Sequence, residues 1–429
     1  MAIVFLLYAA ALAFAAWNVW RPIHASARLT AFSFGLALIS GLFSLHIVAE
    51  NIVVGLLFLW AGAIEGLAGL LAAMLYLAAL LSLLVFHFRS YTTVEVVEAS
   101  LKRGLGDEYR QRIDADLSIS FPEGLDVLRI LKPLPQDLPG VEIIKDIAYT
   151  PDGDIRALDI YRKHEHGHNR PVLLQIHGGA WTEKMGSKNE QARPLLNHMA
   201  LRDWICVSVG YRLSPGATMP EHVIDVKDAL IWVKDNIGEY GGDPDFIIAT
   251  GGSAGGHLCA LLTLTPGDPL FQPEALGRDT SVQGCVPFYG VLDLMNDTGT
   301  HVDFEAFLAD SVIKVPRQED PELWNAVSPL RRVHEHAPPF YVICGDTDNL
   351  VPVETNALFA RKLAEVSRGS VCYAEIPGAA HAFDLIRTPH SEHVLHGIER
   401  WLAYQYSRHR AAGKADVETP VESSLKTKA

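Results

Sequence analysis

One stretch leaves this chain little choice of fold. Residues 246–258 read FIIATGGSAGGHL. An apolar, β-branched run at Phe246, Ile247 and Ile248 has the signature of a buried strand, and the apolar run that continues through Leu262 reads as a helix. Between them stands Gly251-Gly252-Ser253-Ala254-Gly255, a G-x-S-x-G. In that pattern the serine occupies a sharp strand-to-helix turn, and glycines flank it because side chains there would strike neighbouring backbone. The turn lifts the hydroxyl out of the sheet, and the free N–H groups of the helix start face any negative charge that develops beside it.

The sequence around this turn alternates strand and helix. Segments 171–176, 204–209, 282–289, 340–344 and 371–376 are short apolar strand runs. Segments 221–240, 353–366 and 392–406 carry helical periodicity. Two further runs, 143–149 and 155–161, flank the turn Pro151-Asp152-Gly153 and predict an antiparallel hairpin. The pattern predicts an α/β domain over 141–408, a mostly parallel sheet with helices on both faces. Residues 409–429 are small and charged and read as a disordered tail.

The N-terminal part is of a different kind. Residues 1–90 are almost uncharged, and 2–20 alone match the roughly 20 apolar residues that span a bilayer. The first basic residue is Arg21, so the segment lacks the basic start of a secretory signal. A second tract, 31–88, is broken only by Glu50-Asn51 and Glu65 and is long enough for two helices, with the reversal near Glu50 or near Gly62–Gly66. Three spans in all are expected. They place Arg21 and Arg28 on the same side as Arg89, Lys102 and Arg103, which the positive-inside rule assigns to the cytoplasm. Gly62-x-x-x-Gly66 suits close helix packing, and Glu65 within it reads first as a turn residue. Residues 91–140 form an amphipathic cap or linker. Val94, Val97, Leu101, Leu105, Tyr109 and Ile113 recur at helical spacing, and the helix is expected on the domain surface or over the active site facing the bilayer. The net charge of −14, without any basic run, argues against a nucleic-acid partner.

An exposed serine becomes a nucleophile only with a base, a group that orients the base, and donors for an oxyanion. The donors are expected from Gly178 and Gly179, which follow the strand 171–176, together with Ala254 beside the serine. The acid lies in Gly345-Asp346-Thr347-Asp348, at the carboxyl end of a strand, where open α/β sheets present ligand-facing residues. Asp348 is the choice, with Asp346 bracing the turn. If the order is Ser, Asp, His, the base follows the acid, and His381 stands in a loop just after the strand 371–376. His390, His393 and His396 fall along the last helix and read as solvated, and His257 reads as packed or solvated. His164, His166 and His168 alternate in a polar loop without cysteine partners, a weak basis for a metal site. The five cysteines are scattered in apolar context and read as buried small hydrophobes.

These residues together resemble the α/β-hydrolase fold esterases related to hormone-sensitive lipase. The matching segments are HGGAW at 177–181, YRLSP at 211–215, YGGDPDFI at 240–247, GGSAGG at 251–256, GDTDNLVP at 345–352 and GAAHAF at 378–383. The resemblance implies Ser253 as nucleophile, Asp348 as orienting acid and His381 as general base. It also implies Gly178, Gly179 and Ala254 as oxyanion donors, with His177 and Trp181 supporting their loop. Two positions depart from the pattern: Ala180 follows the glycine pair, as in small-ester and arylformamidase branches, and Gly252 stands where aspartate is frequent. The expected protein is a multi-pass membrane serine hydrolase that cleaves carboxylic esters, small-molecule or lipid, without metal or organic cofactor, and its anchor suggests hydrophobic acyl esters that partition into the bilayer. Arylformamide or amide hydrolysis, acyl transfer, and an inactive membrane scaffold are the alternatives.

Overall fold

The computed structural model of the chain describes residues 1–418, apart from 119–120, 122–123, 135–136, 152, 154 and 302–303. Asp152 of the expected hairpin turn, parts of the 91–140 cap or linker and tail residues 419–429 therefore lie outside the described residues.

Eight strands form one sheet: β1 (Val141–Ala148), β2 (Ala157–Lys163), β3 (Arg170–Ile176), β4 (Ile205–Val209), β5 (Gly242–Gly252), β6 (Gly284–Phe288), β7 (Phe340–Gly345) and β8 (Val371–Ile376). Their order is β1-β2-β4-β3-β5-β6-β7-β8. The hairpin β1–β2 is antiparallel, as is β2 against β4, and every pairing from β4 to β8 is parallel. The central strands carry near-continuous apolar runs because helices bury them on both faces. In β3, Val172, Leu173, Leu174 and Ile176 are all fully buried.

That topology gathers the functional loops. Since β3 pairs with β5 and Ile176 lies opposite Gly251, the loops leaving these two strands emerge side by side. Gly345 of β7 lies opposite Ile376 of β8, which brings the next two loops together in the same way. All four leave carboxyl ends of parallel strands, the edge where such sheets bind ligands.

The apolar N-terminal region forms helices α1 (Ala2–Trp20), α2 (Ala27–Leu42), α3 (Ser44–Trp60) and α4 (Gly66–Arg89). By length and composition α1 and α4 suit a bilayer crossing, and α2 and α3 make a third only as a pair bent by 82°. The chain reverses at 61–65, one of the two expected places, and it breaks at Phe43, which the unbroken apolar run does not signal. Gly62 and Gly66 have φ of 69° and 71°. They turn the chain and do not pack helix on helix, so the expected packing role is corrected, and exposed Glu65 belongs to the turn.

Helix α5 (Thr93–Leu105) buries Val97, Leu101 and Leu105. It forms part of the layer on the sheet: a Cβ on Gly104 would collide with Cys372 and Val371 of β8, and Ser100 Oγ lies 3.0 Å from the Tyr341 hydroxyl. The remaining long helices are α6 (Arg193–Leu201), which the sequence pattern does not signal, α7 (Glu221–Asn236), α8 (Ala254–Leu264), α9 (Val353–Val366) and α10 (Pro389–Glu418). Helix α10 continues through 409–418, where a disordered tail was expected, because Ala411, Ala412 and Ala415 are strong helix formers. It also corrects the reading of three histidines. His390 and His396 are buried and His393 is half-buried: α10 packs against α5, the Phe86 ring of α4 meets His390, and His198 meets His396.

Candidate active site

Ser253 connects β5 to α8 with φ 57° and ψ −119°, a backbone geometry that costs a non-glycine residue of order 1–3 kcal/mol. The flanking glycines make the turn possible. A Cβ on Gly251 would run into the Gly255 and Ile176 carbonyls, and one on Gly255 into the Ile176 and His177 carbonyls. Ser253 N–H donates to the Phe288 carbonyl at 3.0 Å, tying the turn to the end of β6, and its side chain stays partly exposed.

The loop after β3 approaches this turn closely: the Cβ position of Gly178 lies 3.2 Å from Ser253 Cβ. Gly179 has φ 115°, and Ala180 and Trp181 follow at 52° and 58°, so three successive residues hold left-handed backbone. His177 braces the loop. Its ring stacks on Tyr211 at 4.5 Å, its Nδ1–H donates to the Gly178 carbonyl at 2.8 Å, and burial pushes its pKa down to about 4, which keeps it neutral. Trp181 is buried edge-on to His257 at 5.1 Å, and His257 Nε2–H donates to the Val327 carbonyl at 2.7 Å. Trp181 thus supports the loop from beneath through α8. One of the expected donors is already engaged: Gly178 N–H donates to Gln191 Oε1 at 2.6 Å. Gln191 carries no motif in the sequence, and only its placement reveals it.

The two aspartates after β7 have separate partners. Asp348 Oδ2 accepts from His381 Nδ1 at 2.7 Å, and both side chains are buried. Asp348 Oδ1 accepts from the N–H groups of Leu350 and Val351 at 2.9 Å each, which fixes the carboxylate in one orientation. Asp346 Oδ1 accepts from Gly378 N–H at 2.5 Å and its other oxygen lies 3.6 Å from Arg89, so it holds the loop after β7 to the loop after β8. Burial pushes the Asp346 carboxyl up from its ordinary range.

A further pair has no signature in the sequence. The Tyr289 ring lies 4.5 Å from the His381 ring, and its hydroxyl donates to Asp384, three residues beyond that histidine. A Cβ on Gly252 would come within 2.8 Å of the Tyr289 hydroxyl. The glycine that departs from the esterase pattern therefore makes room for a tyrosine that links the serine turn to the histidine loop.

Chemically, the arrangement offers an elevated serine, an imidazole oriented by a buried carboxylate, and N–H groups at a helix start and a glycine turn. That set suits acyl transfer through a covalent serine intermediate.

Comparison with known proteins agrees in kind. The BD-FAE family profile matches residues 158–363. The chain is 43% identical over 274 residues to "Esterase LipQ" of Mycobacterium tuberculosis, covering 63% of this chain and 65% of LipQ. It is 42% identical over 326 residues to "Probable carboxylic ester hydrolase LipM" of the same organism, covering 74% of each chain. The matched segment thus falls just short of two thirds of LipQ's own length and exceeds it for LipM. Among solved structures, a truncated form of a carbohydrate esterase from gut microbiota superposes with a TM-score of 0.53 at 24% identity, covering 62% of this chain and 96% of that one, a likeness of fold.

Proposed function

The chain belongs to the family of carboxylic ester hydrolases that includes LipM, and from that premise we propose a membrane-anchored serine esterase working through Ser253, His381 and Asp348. His381 Nε2 takes the proton of the Ser253 hydroxyl as Oγ attacks the acyl carbon. Asp348 holds the imidazole with its Nδ1–H inward and stabilises the imidazolium that forms. The oxyanion is received by the N–H groups of Gly179 and Ala254, while Gly178, tied to Gln191, fixes the curvature of the loop. His381 then protonates the leaving alcohol, and water releases the acid from the acyl-enzyme.

The observation that carries this reading is the 2.7 Å bond between His381 Nδ1 and Asp348 Oδ2, buried at the strand-end edge that also presents Ser253. Its test is p-nitrophenyl ester hydrolysis by the full chain in detergent, across acyl lengths, beside Ser253→Ala. The variant is expected to lose nearly all turnover and all labelling by a fluorophosphonate probe. Retention of either rejects the mechanism. The hydrolase domain is proposed to face the cytoplasm. Supporting a single side for the basic clusters, Arg89 at the end of α4 lies over the Trp20 ring at the end of α1, 5.4 Å from its centroid.

A further inference from the structure

The loop between α1 and α2 is fastened to the machinery. His24 places Nδ1 2.9 Å from the Asn349 carbonyl and Nε2 3.0 Å from the Thr300 carbonyl. Asn349, which directly follows Asp348, donates its amide back to the Ile23 carbonyl at 2.8 Å and the Thr30 carbonyl at 3.2 Å. Halfway along α2 the Phe34 ring meets the His381 ring edge-on at 6.0 Å. Near its other end, Ala37, Leu38, Gly41 and Leu42 line a seam with Gly378–Ala380, Phe383 and His390. Both ends of α2 and its middle therefore rest on the loops that carry Asp348 and His381. A helix crossing the bilayer leaves the hydrolase domain after its first turn, whereas α2 meets the loops after β7 and β8 at its start, middle and far end while its buried Ser33 bonds Asn18 of α1.

The 82° bend into α3 completes the picture. With α2 lying along the strand-end edge, α3 carries the return crossing: its 17 residues reach about 25 Å at 1.5 Å per residue, at the short end of what spans a bilayer core. The faces of α2 agree. Thr30, Ser33, Ala37 and Ser40 form its buried side and Leu29, Phe32 and Ile39 stand exposed, with Phe34 and Leu38 on the flank between. Leu29, Phe32 and Ile39 are exposed as Leu7 of α1 and Leu77 of α4 are, so α2 is as suited to hydrocarbon as they are, and its contacts with the loops after β7 and β8 are what hold it along the hydrolase domain.

We propose that α2 is an interfacial helix forming the wall of the acyl-chain site, so that esters dissolved in the bilayer reach Ser253 along its Phe34–Leu38 flank. The proposal rests on the serine esterase reading and adds the substrate class: esters of long hydrocarbon acyl chains, entering from the lipid phase with the scissile carbonyl at the interface.

The test uses the full chain in phosphatidylcholine vesicles, with p-nitrophenyl palmitate in the bilayer and p-nitrophenyl butyrate in the water. The quantity read is the ratio of kcat/KM for palmitate to that for butyrate, in wild type, Phe34→Ala and Phe34→Trp. Wild type is expected to favour palmitate. Phe34→Ala should lower the ratio about tenfold by removing a wall the chain packs against, and Phe34→Trp should lower it too by narrowing the space left for a long chain. A ratio unchanged in both variants, or a wild type that favours butyrate, overturns the proposal. Fluorophosphonate labelling reports a folded site. Should Phe34→Ala lose it, Phe34→Leu is scored by the same ratio. Failure of the esterase reading looks different, since it would appear as activity that survives Ser253→Ala on both substrates.

Discussion

Replacing Asp348 by asparagine exchanges one carboxylate oxygen for an NH2 group and tests the orientation of the catalytic base. Three hydrogen bonds converge on this carboxylate: His381 Nδ1–H on Oδ2, and the Leu350 and Val351 N–H groups on Oδ1. The two backbone groups can only donate, so in the Asp348→Asn variant they retain the amide oxygen and turn its NH2 toward His381. Two donors then face each other, and the imidazole relieves the clash by moving its proton to Nε2. That tautomer presents N–H rather than a lone pair to Ser253, so the base is lost while the packing remains. The equivalent loss in a serine triad is about 10⁴-fold in kcat, or about 5.4 kcal/mol at 1.36 kcal/mol per decade. The assay is kcat on p-nitrophenyl butyrate for Asp348→Asn and Asp346→Asn, each with its melting temperature. Asp346 holds Gly378 N–H and not the imidazole, so its variant should fall by less than about tenfold. If Asp348→Asn keeps a tenth of wild-type kcat, or if Asp346→Asn falls as far, the assignment of the acid is wrong.

Gly255→Ala should destabilise the fold by about 1–3 kcal/mol, because its Cβ meets backbone carbonyls of the neighbouring strand end that cannot step aside; calorimetry showing an unchanged melting temperature would contradict this. His177, His257 and His390 are each pushed down to about 4 by burial. Between pH 6.5 and 4 the unfolded chain therefore takes up protons that the folded chain refuses, so stability is complete above about 6.5 and is lost as pH falls toward 4. Urea midpoints measured across that window should decline steadily, and a flat profile refutes the buried neutral state. Tyr289→Phe removes the donor to Asp384 and loosens the link between the serine turn and the histidine loop, at a cost of about 1–3 kcal/mol. Its melting temperature and kcat should both drop, and if kcat holds while stability falls, Tyr289 does not position His381.

The strand-end loops are legible because their residues are adjacent in sequence to apolar runs with clear periodicity. Gly251 to Gly255 sits between a strand and a helix, and Asp348 and His381 each follow a strand directly. What sequence spacing cannot carry is a contact between side chains that no local pattern ties together. Tyr289 and Asp384 lie 95 residues apart in sequence, and nothing near either announces the other. Gln191 reaches Gly178 from an irregular stretch between β3 and α6 that has no periodicity. The three histidines of α10 read as polar and therefore solvated, whereas their exposure is decided by which helices cover them.

The same limit explains the N-terminal region. Hydropathy measures how apolar a segment is and does not record direction, so 31–88 reads as one continuous apolar tract although α2 and α3 within it meet at 82°. The break at Phe43 follows Gly41 with no proline and only Ser40, Ser44 and His46 as polar neighbours, too little to mark a bend of 82°. The loop before α2 holds Arg21, His24 and Ser26 as its polar residues, and nothing in its sequence distinguishes His24. In the folded chain His24 joins the carbonyls of Asn349 and Thr300, which sets the loop before α2 beside Asp348. An anchor that only tethers has no cause to grip the residue next to the acid or to set a phenylalanine against the base. The placement of His24 and Phe34 is therefore better accounted for by a helix that shares in binding the substrate than by one that only holds the enzyme at the membrane.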